Sequence, residues 1–594
     1  MESIRSRGPD AQQVWEGDSG RLGHTRLSVI DLDSGAQPMS SGDGKTVIVF
    51  NGEIYNYQIL RKELTDSGFS FGTQSDTEVL LKGYLAWGRE VVNRLDGIFA
   101  FAIYDLREGR VFLARDRCGI KPLFYQKSGG YFGFGSTLGA VTGIRGESYP
   151  LDYVALQDYL AFETVLAPRT ILTGVAQLEP AHCMTYDLES GALEIEKYWE
   201  LGSADFEGSF EEALEMLDGI LKKTFKDQMV ADVPLGAFLS GGIDSSLATH
   251  YLAEHSSSPL LTFSVAFGQA EYDESKYARE VAEKYQTDHH VIPGPEMTAS
   301  MFEESIASLD QPLADPAYPL TWFLSRVTKR EITVAISGDG ADELFGGYDK
   351  FNRLSGNRPR TPLKGAMNWL HRRGLFPGAF AGSFLTGEDW THYKKVSCGQ
   401  FPGNRKDLSR FLVKSAAARV SGRPLAKWLE EVEKYGGHDN RMALMKADFW
   451  TYLSENCLVK TDRASMASGL EVRVPFLGNE VVDFALKMPD EIHFKGRQGK
   501  QLLRGLARRH LPESVWNRKK HGFSIPLGEF FEGPWGDLCG DLFGQAESLF
   551  PPLDGEAARR RWQRAVAGKS GGRTTYALAV LLLWARNNSS VISF

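Results

Sequence analysis

Between residues 20 and 145 the chain runs in short β-branched and aromatic stretches, 46–50, 99–104, 111–114 and 131–135, each closed by Gly or Asn residues. Runs of this length with turn residues between them predict strands packed as antiparallel sheets. One helix is predicted among them, over 76–87, with Asp76 as its cap. Residues 151–200 predict a helix and two further strands, ending at Tyr198-Trp199. The Gly-bounded stretch 202–208 then separates a first unit, 1–200, from a second, 209–594.

After that stretch the pattern changes. Helical periodicity over 210–229, 244–255 and 277–286 alternates with continuous apolar runs over 233–239, 260–267, 290–292 and 332–337. Strands with no polar face, separated by helices, imply a parallel α/β sheet covered on both sides. Beyond residue 350 the chain reads as mostly helical, with breaks such as 374–382. The longest apolar run, 576–584, is too short for the roughly 18 to 20 residues that span a bilayer and reads as a buried C-terminal helix. No internal repeat is found.

Composition narrows the function classes. A chain of 594 residues exceeds one hydrophobic core and predicts two to four domains. Its 67 Lys and Arg against 76 Asp and Glu, a net charge of −9, give no reason to expect nucleic acid or an anionic membrane as a partner, so small-molecule chemistry is expected. Cys118, Cys183, Cys398, Cys457 and Cys539 are scattered, odd in number and form no CxxC pair, which points away from a disulfide framework or a zinc site. The first residues lack the apolar core of a signal peptide, and a cytoplasmic protein is expected. The pair His289-His290 is read as structural, because neighbours on a strand point to opposite faces.

The candidate chemistry starts at Phe238-Leu239-Ser240-Gly241-Gly242-Ile243-Asp244-Ser245-Ser246, where an apolar strand turns into a helix. Gly241 and Gly242 let backbone N–H groups approach a polyphosphate, the helix N-terminus adds partial positive charge, and Ser240, Ser245 and Ser246 add hydroxyl donors. The loop lacks the Gly-Lys-Ser/Thr end of a Walker A motif and instead carries Asp244, an acid suited to a phosphate-bound magnesium ion. A plain Gly-Gly turn with a capping Asp is the alternative. A second strand end, 332–337, leads into Ser337-Gly338-Asp339-Gly340-Ala341-Asp342-Glu343-Leu344-Phe345-Gly346-Gly347-Tyr348. Ligands of open α/β sheets bind at carboxyl strand ends, which places Asp244 and Asp342 on opposite sides of one Mg-pyrophosphate crevice.

These two loops resemble the ATP pyrophosphatase domain of the class B, glutamine-dependent asparagine synthetases. The likeness continues in order through Asp273-Glu274-Ser275, Asp288-His289-His290, Leu309-Asp310-Gln311-Pro312, Val459-Lys460-Thr461-Asp462-Arg463 and Leu470-Glu471-Val472-Arg473-Val474-Pro475-Phe476-Leu477. The resemblance implies that Leu239, Val265, Ser337 and Gly338 line the adenine nucleotide pocket. It also implies that Asp244 and Asp342 hold Mg2+, and that Asp339 and Lys460 sit by the reacting acyl phosphate. In such an enzyme an aspartate carboxylate attacks the α-phosphorus of ATP, and ammonia converts the resulting β-aspartyl-AMP to the amide. Where the family has Asp after Phe-Leu this chain has Gly478, so no role is carried over to that position. In Arg518-Lys519-Lys520-His521 two readings stay open, a solvated turn or a substrate or phosphate contact by Lys520.

Upstream, Arg7-Gly8-Pro9-Asp10, the run from Gly23 through Arg26 to Asp31, Asn51-Gly52-Glu53-Ile54-Tyr55-Asn56 and Ser75-Asp76-Thr77-Glu78 resemble the class II glutamine amidotransferase domain. That resemblance implies an α+β sandwich of the N-terminal-nucleophile type. By it Arg26 binds the glutamine carboxylate, Glu53 and Asp76 bind the region of its amino group, and the Asn51 amide with the Gly52 N–H forms the oxyanion hole. Taken as a dipeptide, Asn51-Gly52 instead predicts a type I′ hairpin turn. The family's nucleophile is a cysteine at the processed N-terminus. Here position two is Glu2, and Cys118 lies in a stretch used for binding architecture, so it is read as structural. Two explanations stay open: Met1 is an internal methionine with a Cys-Gly-Ile strand encoded upstream, or the enzyme uses free ammonia. The intact glutamine-binding set favours the first. Ser136-Thr137 replaces the family's Ser-Glu, a departure that bears on glutamine handling or on communication between the units.

The expected enzyme takes aspartate, ATP and glutamine or ammonia, and dimerisation is an expectation from the family. Relatives of this architecture act on other carboxylates, closing β-lactams or amidating sugars and peptides. A non-catalytic relic is the other alternative, disfavoured by retention of Asp244, Asp342 and Lys460.

Overall fold

The computed structural model describes residues 1–266, 273–352, 411–420, 426–436, 440–518, 527–568 and 572–594. The predicted break at 374–382 lies outside them, as does Lys520.

The front of the chain is built from three antiparallel groups. A hairpin pairs β1 (Ala11–Gly17) with β2 (Gly20–Arg26). The main sheet contains β3 (Met39–Ser40), β4 (Thr46–Ile54), β5 (Gly97–Asp105), β6 (Arg110–Arg115), β11 (His182–Asp187) and β12 (Leu193–Lys197), in the order β12-β11-β6-β5-β4-β3. A smaller sheet orders β10 (Ala176–Gln177), β7 (Phe124–Ser128) and β8 (Tyr131–Gly135). Alternation along the main strands decides which face each side chain meets. Val47, Val49, Ala100, Ala102, Val111 and Leu113 pack against Leu22, Leu123, Phe132 and Phe134 of the strands beneath. Their neighbours Ile48, Phe50, Phe99, Phe101, Ile103 and Phe112 face α1 (Tyr57–Asp66) and α2 (Asp76–Trp87) through Leu60, Leu64, Leu80 and Tyr84.

Local expectations need three corrections here. Helix α1 and α3 (Leu138–Arg145) accompany α2, so more than one helix interrupts the strands before residue 146, while α4 (Tyr153–Phe162) is the helix expected in 151–200. The α2 cap is Ser75, whose hydroxyl accepts from Thr77 N, while Asp76 is the first helical residue. Asn51 and Gly52 form no hairpin turn. They lie inside β4, opposite Ala100 and Phe99 of β5, and a side chain at Gly52 would put its Cβ 1.9 Å from the Ile98 carbonyl oxygen.

Behind this lies a five-stranded parallel sheet of β13 (Leu235–Phe238), β14 (Leu261–Ala266), β15 (Asp288–Pro293), β16 (Val334–Ile336) and β17 (Glu471–Arg473). The order β15-β14-β13-β16-β17 places the reversal of direction between β13 and β16. Strand β17 was not anticipated from sequence, because it lies in a region otherwise helical and pairs across about 130 residues of chain with β16. Helices α5 (Phe210–Asp227), α6 (Ile243–His255) and α7 (Ser275–Tyr285) belong to this half, and Leu217, Leu221 and Phe225 of α5 pack with Leu247, Tyr251 and Leu252 of α6. The C-terminal helix Gly572–Asn587 is buried from Thr574 through Ala585, and among the described residues no helix is long and apolar enough to cross a membrane.

Charged pairs bridge the junction between front and back. Arg7 donates two hydrogen bonds, 2.8 and 3.0 Å, to Asp462, which also accepts from Arg463 at 2.7 Å. Arg463 reaches on to Asp310 at 3.1 Å, and Lys427 reaches Glu179 at 2.6 Å. β9 (Tyr149–Pro150) pairs in parallel with β18 (Ile592–Ser593), joining the end of the chain to the front half. Removing one partner of a buried pair leaves its charge uncompensated, at a cost of about 3–5 kcal/mol.

Two departures from the family pattern have local reasons. Thr137 caps α3, its hydroxyl accepting from Ala140 N at 3.1 Å. Gly478 caps the helix Asn479–Lys487, and a Cβ there would stand 2.5 Å from Thr224 Cγ2 and 3.2 Å from the Pro475 carbonyl oxygen. The overlap outweighs the few tenths of a kcal/mol that Asp gains over Gly as a cap. Gly478→Asp is therefore expected to cost about 1–3 kcal/mol, read as a lower midpoint in chemical denaturation. Adding Thr224→Ser, which removes the opposing methyl, is expected to recover most of the loss. An unchanged midpoint in the single variant contradicts the packing argument.

Candidate active sites

The pairing of β13 with β16 delivers both Gly-acid loops to one crevice at the carboxyl ends of their strands. The loop after β13 folds on itself: Ser240 N donates to Ser245 Oγ at 3.1 Å, and Gly242 N donates to Ser240 Oγ at 3.3 Å. Gly241 sits at φ +73°, and a Cβ on it would come within 2.7 Å of Ala278 N at the start of α7. Gly338 packs directly onto the other loop, its Cβ direction meeting Asp244 Cβ and Ser245 N at 3.1 Å each. Leu239 is buried in the core and donates its N–H to the Phe263 carbonyl at 2.8 Å, whereas Val265, near the end of β14, is half-buried.

Asp244 and Asp342 do converge, and what joins them is a residue that sequence reasoning missed. The buried ammonium of Lys500 donates to Asp244 Oδ1 and Oδ2 at 2.6 Å each and lies 2.6 Å from Asp342 Oδ1. Gly347 makes room for this meeting, since a Cβ there would stand 1.8 Å from Asp342 Oδ1 and 2.4 Å from Lys500 Cε. Lys500 follows Gly499 at the start of the helix Gln501–His510, with no loop motif around it to mark it. The only signal available in sequence is that two acids assigned to one crevice require a cation. Arg518 closes the edge of the crevice, donating to the Gly241 carbonyl at 3.1 Å and pairing with Glu274.

Asp339 and Lys460 are drawn to the same side of the crevice. Asp339 Oδ2 accepts from Ser337 Oγ at 3.0 Å and from Thr461 Oγ1 at 2.8 Å. Lys460 stands 3.5 Å from Asp315. Burial opposes its charge, but Asp315, with Cys457, Asp339 and Glu343 nearby, outweighs burial and raises its pKa. Burial works against the Asp315 carboxylate too, and Lys460 and Arg573 hold its pKa below the usual value. Two cations, Lys460 and Arg573, thus face Asp315, with Asp339 and Glu343 close to Lys460.

The front half holds a cavity of about 810 Å³ whose lining includes Arg26, Asn51, Gly52, Glu53 and Asp76. The Asn51 amide nitrogen is buried there with no hydrogen-bond partner among the described residues, as a donor awaiting an oxygen would be. Asp76 accepts from Ile54 N at 3.0 Å, and burial pushes its pKa up to about 6. Burial also raises Glu53, with Glu471 and Asp76 adding to the effect. The Arg26 guanidinium turns to the carbonyl oxygens of Ile30, Asp31 and Leu32 at 3.1, 2.6 and 3.2 Å, so it shapes this loop besides lining the cavity. Cys118 is buried with its thiol 3.9 Å from the Leu477 carbonyl, and burial raises its pKa well above the usual value. His289 bonds Thr262 and Ser264 through its two ring nitrogens, while His290 stacks on Phe263, so the two rings do not form a metal pair.

Comparison with known proteins identifies the family of both halves. Residues 216–586 match the asparagine synthase family, and residues 1–199 match the glutamine amidotransferase domain. The chain is 33% identical over 551 residues to asparagine synthetase (glutamine-hydrolyzing) 1 of Bacillus subtilis (strain 168), spanning 92% of this chain and 86% of that protein. It is 31% identical over 540 residues to asparagine synthetase (glutamine-hydrolyzing) 3 of the same organism, spanning 87% and 82% of the two chains. The matches run through the front cavity, the parallel sheet and the helices that carry Lys460 and Lys500, and the chain belongs to the asparagine synthase family.

Proposed function

We propose that the protein forms asparagine from aspartate, with ATP cleaved to AMP and pyrophosphate, in two units over residues 1–200 and 209–594. The observation that carries this reading is the meeting of Asp244, Asp342 and Lys500 in the crevice between β13 and β16, beside Asp339 and Lys460.

In this reading Ser240, Gly241, Gly242 and Ser245 cradle the phosphates at the N-terminus of α6, and Leu239, Val265, Ser337 and Gly338 flank the nucleoside. Asp244 and Asp342 set two carboxylates around the Lys500 ammonium, and hard oxygen donors of this kind suit a divalent cation that completes its shell with phosphate and water oxygens. These residues would hold Mg2+, which when bound offsets phosphate charge. Lys500 is placed to neutralise charge as the α-phosphorus is attacked by a carboxylate oxygen of aspartate and pyrophosphate departs. The acceptor pocket suits a zwitterion: its acids meet an ammonium, and Lys460 meets a carboxylate. That charge pattern favours an amino-acid acceptor over a sugar. Ammonia then attacks the carbonyl carbon of the acyl-adenylate, AMP leaves, and the amide results. The front cavity would hold glutamine, its ammonium at Glu53 and Asp76, with Asn51 and Gly52 directed at the amide oxygen. No cysteine stands before Cys118, so ammonia is the nitrogen donor to supply to these 594 residues.

Three measurements test this. Pyrophosphate release with ATP and magnesium is expected to require aspartate, to proceed with ammonia, and to vanish in Asp244→Ala; release independent of aspartate would direct attention to another carboxylate. Lys500→Met is expected to lower AMP formation about 10²–10³-fold and, by leaving Asp244 and Asp342 without their shared cation, to lower the unfolding midpoint as well; a loss of activity under tenfold would remove Lys500 from the chemistry. Asp76 is charged only above its raised pKa of about 6, so as pH falls through that value the carboxylate facing the ammonium is lost. Calorimetric L-glutamine titrations are expected to show affinity falling about tenfold per pH unit below the pKa, and a flat profile contradicts the assignment.

A further inference from the structure

The glutamine cavity of the front half is completed by a strand of the back half. Glu471, on β17, lines the cavity together with Glu53 and Asp76. The cations facing these three carboxylates are Arg473 and Lys121. Arg473 Nε donates to Glu471 Oε1 at 2.8 Å, its Nη2 lies 3.5 Å from Glu53 Oε2, and Lys121 lies 3.8 Å from Glu471 Oε2. Burial disfavours the ionised forms of Glu53 and Asp76, and the ammonium of an amino-acid ligand bound beside them favours those forms.

Arg473 differs from Lys121 in what else it holds. Its Nη1 donates to the carbonyls of Gln228 and Val230, just beyond α5, at 2.8 and 2.7 Å. Its side chain is fully buried, yet among the described residues Nη2 makes no hydrogen bond, and neither does the facing Glu53 Oε2. The Glu53 contact is thus the one loose end of an otherwise fixed guanidinium. On the main chain, Arg473 lies opposite Ile336 in the sheet, and its carbonyl accepts from Ser337 N at 2.9 Å. Ser337 begins the nucleotide loop and holds Asp339 through its hydroxyl at 3.0 Å. A single residue therefore touches Glu53 with its side chain and the nucleotide loop with its backbone.

We propose that Arg473 is a positioning residue that couples the two sites: an ammonium bound at Glu53 shifts the Glu53–Arg473 contact, and β17 passes that shift to Ser337. This rests on reading the front cavity as the glutamine site and the Ser337 loop as the nucleotide site. Coupling between two binding equilibria is reciprocal, so each ligand must change the other's affinity by the same factor.

The experiment measures dissociation constants without turnover, omitting aspartate and ammonia. ATP is titrated with and without saturating L-glutamine, and L-glutamine with and without saturating ATP, using the full chain, Arg473→Met and Arg473→Lys. The wild-type chain is expected to show equal factors of about fivefold or more in both directions. Arg473→Met is expected to bind both ligands with the factor reduced to one. Arg473→Lys keeps the buried charge but cannot reach Glu53 and the Gln228 and Val230 carbonyls together, so its factor is expected to fall as well. A merely structural role would weaken binding without moving the ratio. Equal affinities with and without the second ligand in the wild-type chain overturn the proposal whatever the variants do, as does a coupling that survives in either variant. Failure of L-glutamine to bind overturns the cavity reading and the coupling together. Aspartate-dependent pyrophosphate release with ammonia then shows separately whether the nucleotide reading stands.

Discussion

Two carboxylates forced together in one half-buried crevice need a cation, and much of the back half is arranged around that requirement. β13 and β16 are hydrogen-bonded neighbours, so the loops leaving them touch, with Gly338 against Asp244 and Ser245. Two like charges about 4 Å apart repel by about 4 kcal/mol at the effective dielectric of a protein. Lys500 resolves the conflict by contacting both Asp244 and Asp342, and Gly347 leaves the space its side chain occupies. The same cation becomes useful chemically, because a site that gathers two acids and a lysine at an α-helix N-terminus is already organised for polyphosphate and for charge developing at phosphorus.

The second constraint is the charged junction between the halves. Arg7, Asp462, Arg463 and Asp310 form one chain of buried ions, and Glu53, Arg473, Glu471 and Lys121 form another. Such pairs cost desolvation and are weak evidence of stability, but a misdocked junction would strand several charges at once, which makes them selective for one relative placement. Asp462 and Arg463 lie two and three residues beyond Lys460 on the helix Leu458–Met466. Glu471 and Arg473 lie on the strand beside the nucleotide loop. Docking of the halves and construction of the synthetic site therefore draw on the same short segments.

Much of this was legible in the sequence, for identifiable reasons. The front strands show because each alternates between two buried faces, and the Ser-Gly-Gly and Ser-Gly-Asp-Gly loops show because strand, glycine and acid fall together. What escaped depends on distant chain. Lys500 acquires its meaning only from Asp244, 256 residues away. β17 is three residues long and identified only by its partner β16. Asn51-Gly52 looks like a turn as a dipeptide, while in the sheet glycine is needed because the Ile98 carbonyl occupies the Cβ position. α1 escaped because only Tyr57, Leu60 and Leu64 of its ten residues are buried.

The central claim is that a carboxylate oxygen of aspartate becomes bonded to the α-phosphorus of ATP before nitrogen arrives. The most direct measurement supplies aspartate labelled with ¹⁸O in its side-chain carboxylate, together with ATP, magnesium and ammonia, and weighs the nucleotide product by mass spectrometry. The account predicts AMP carrying one ¹⁸O atom for each asparagine formed, since amide formation leaves the bridging oxygen on phosphorus. Unlabelled AMP, or ADP with labelled phosphate, would contradict it.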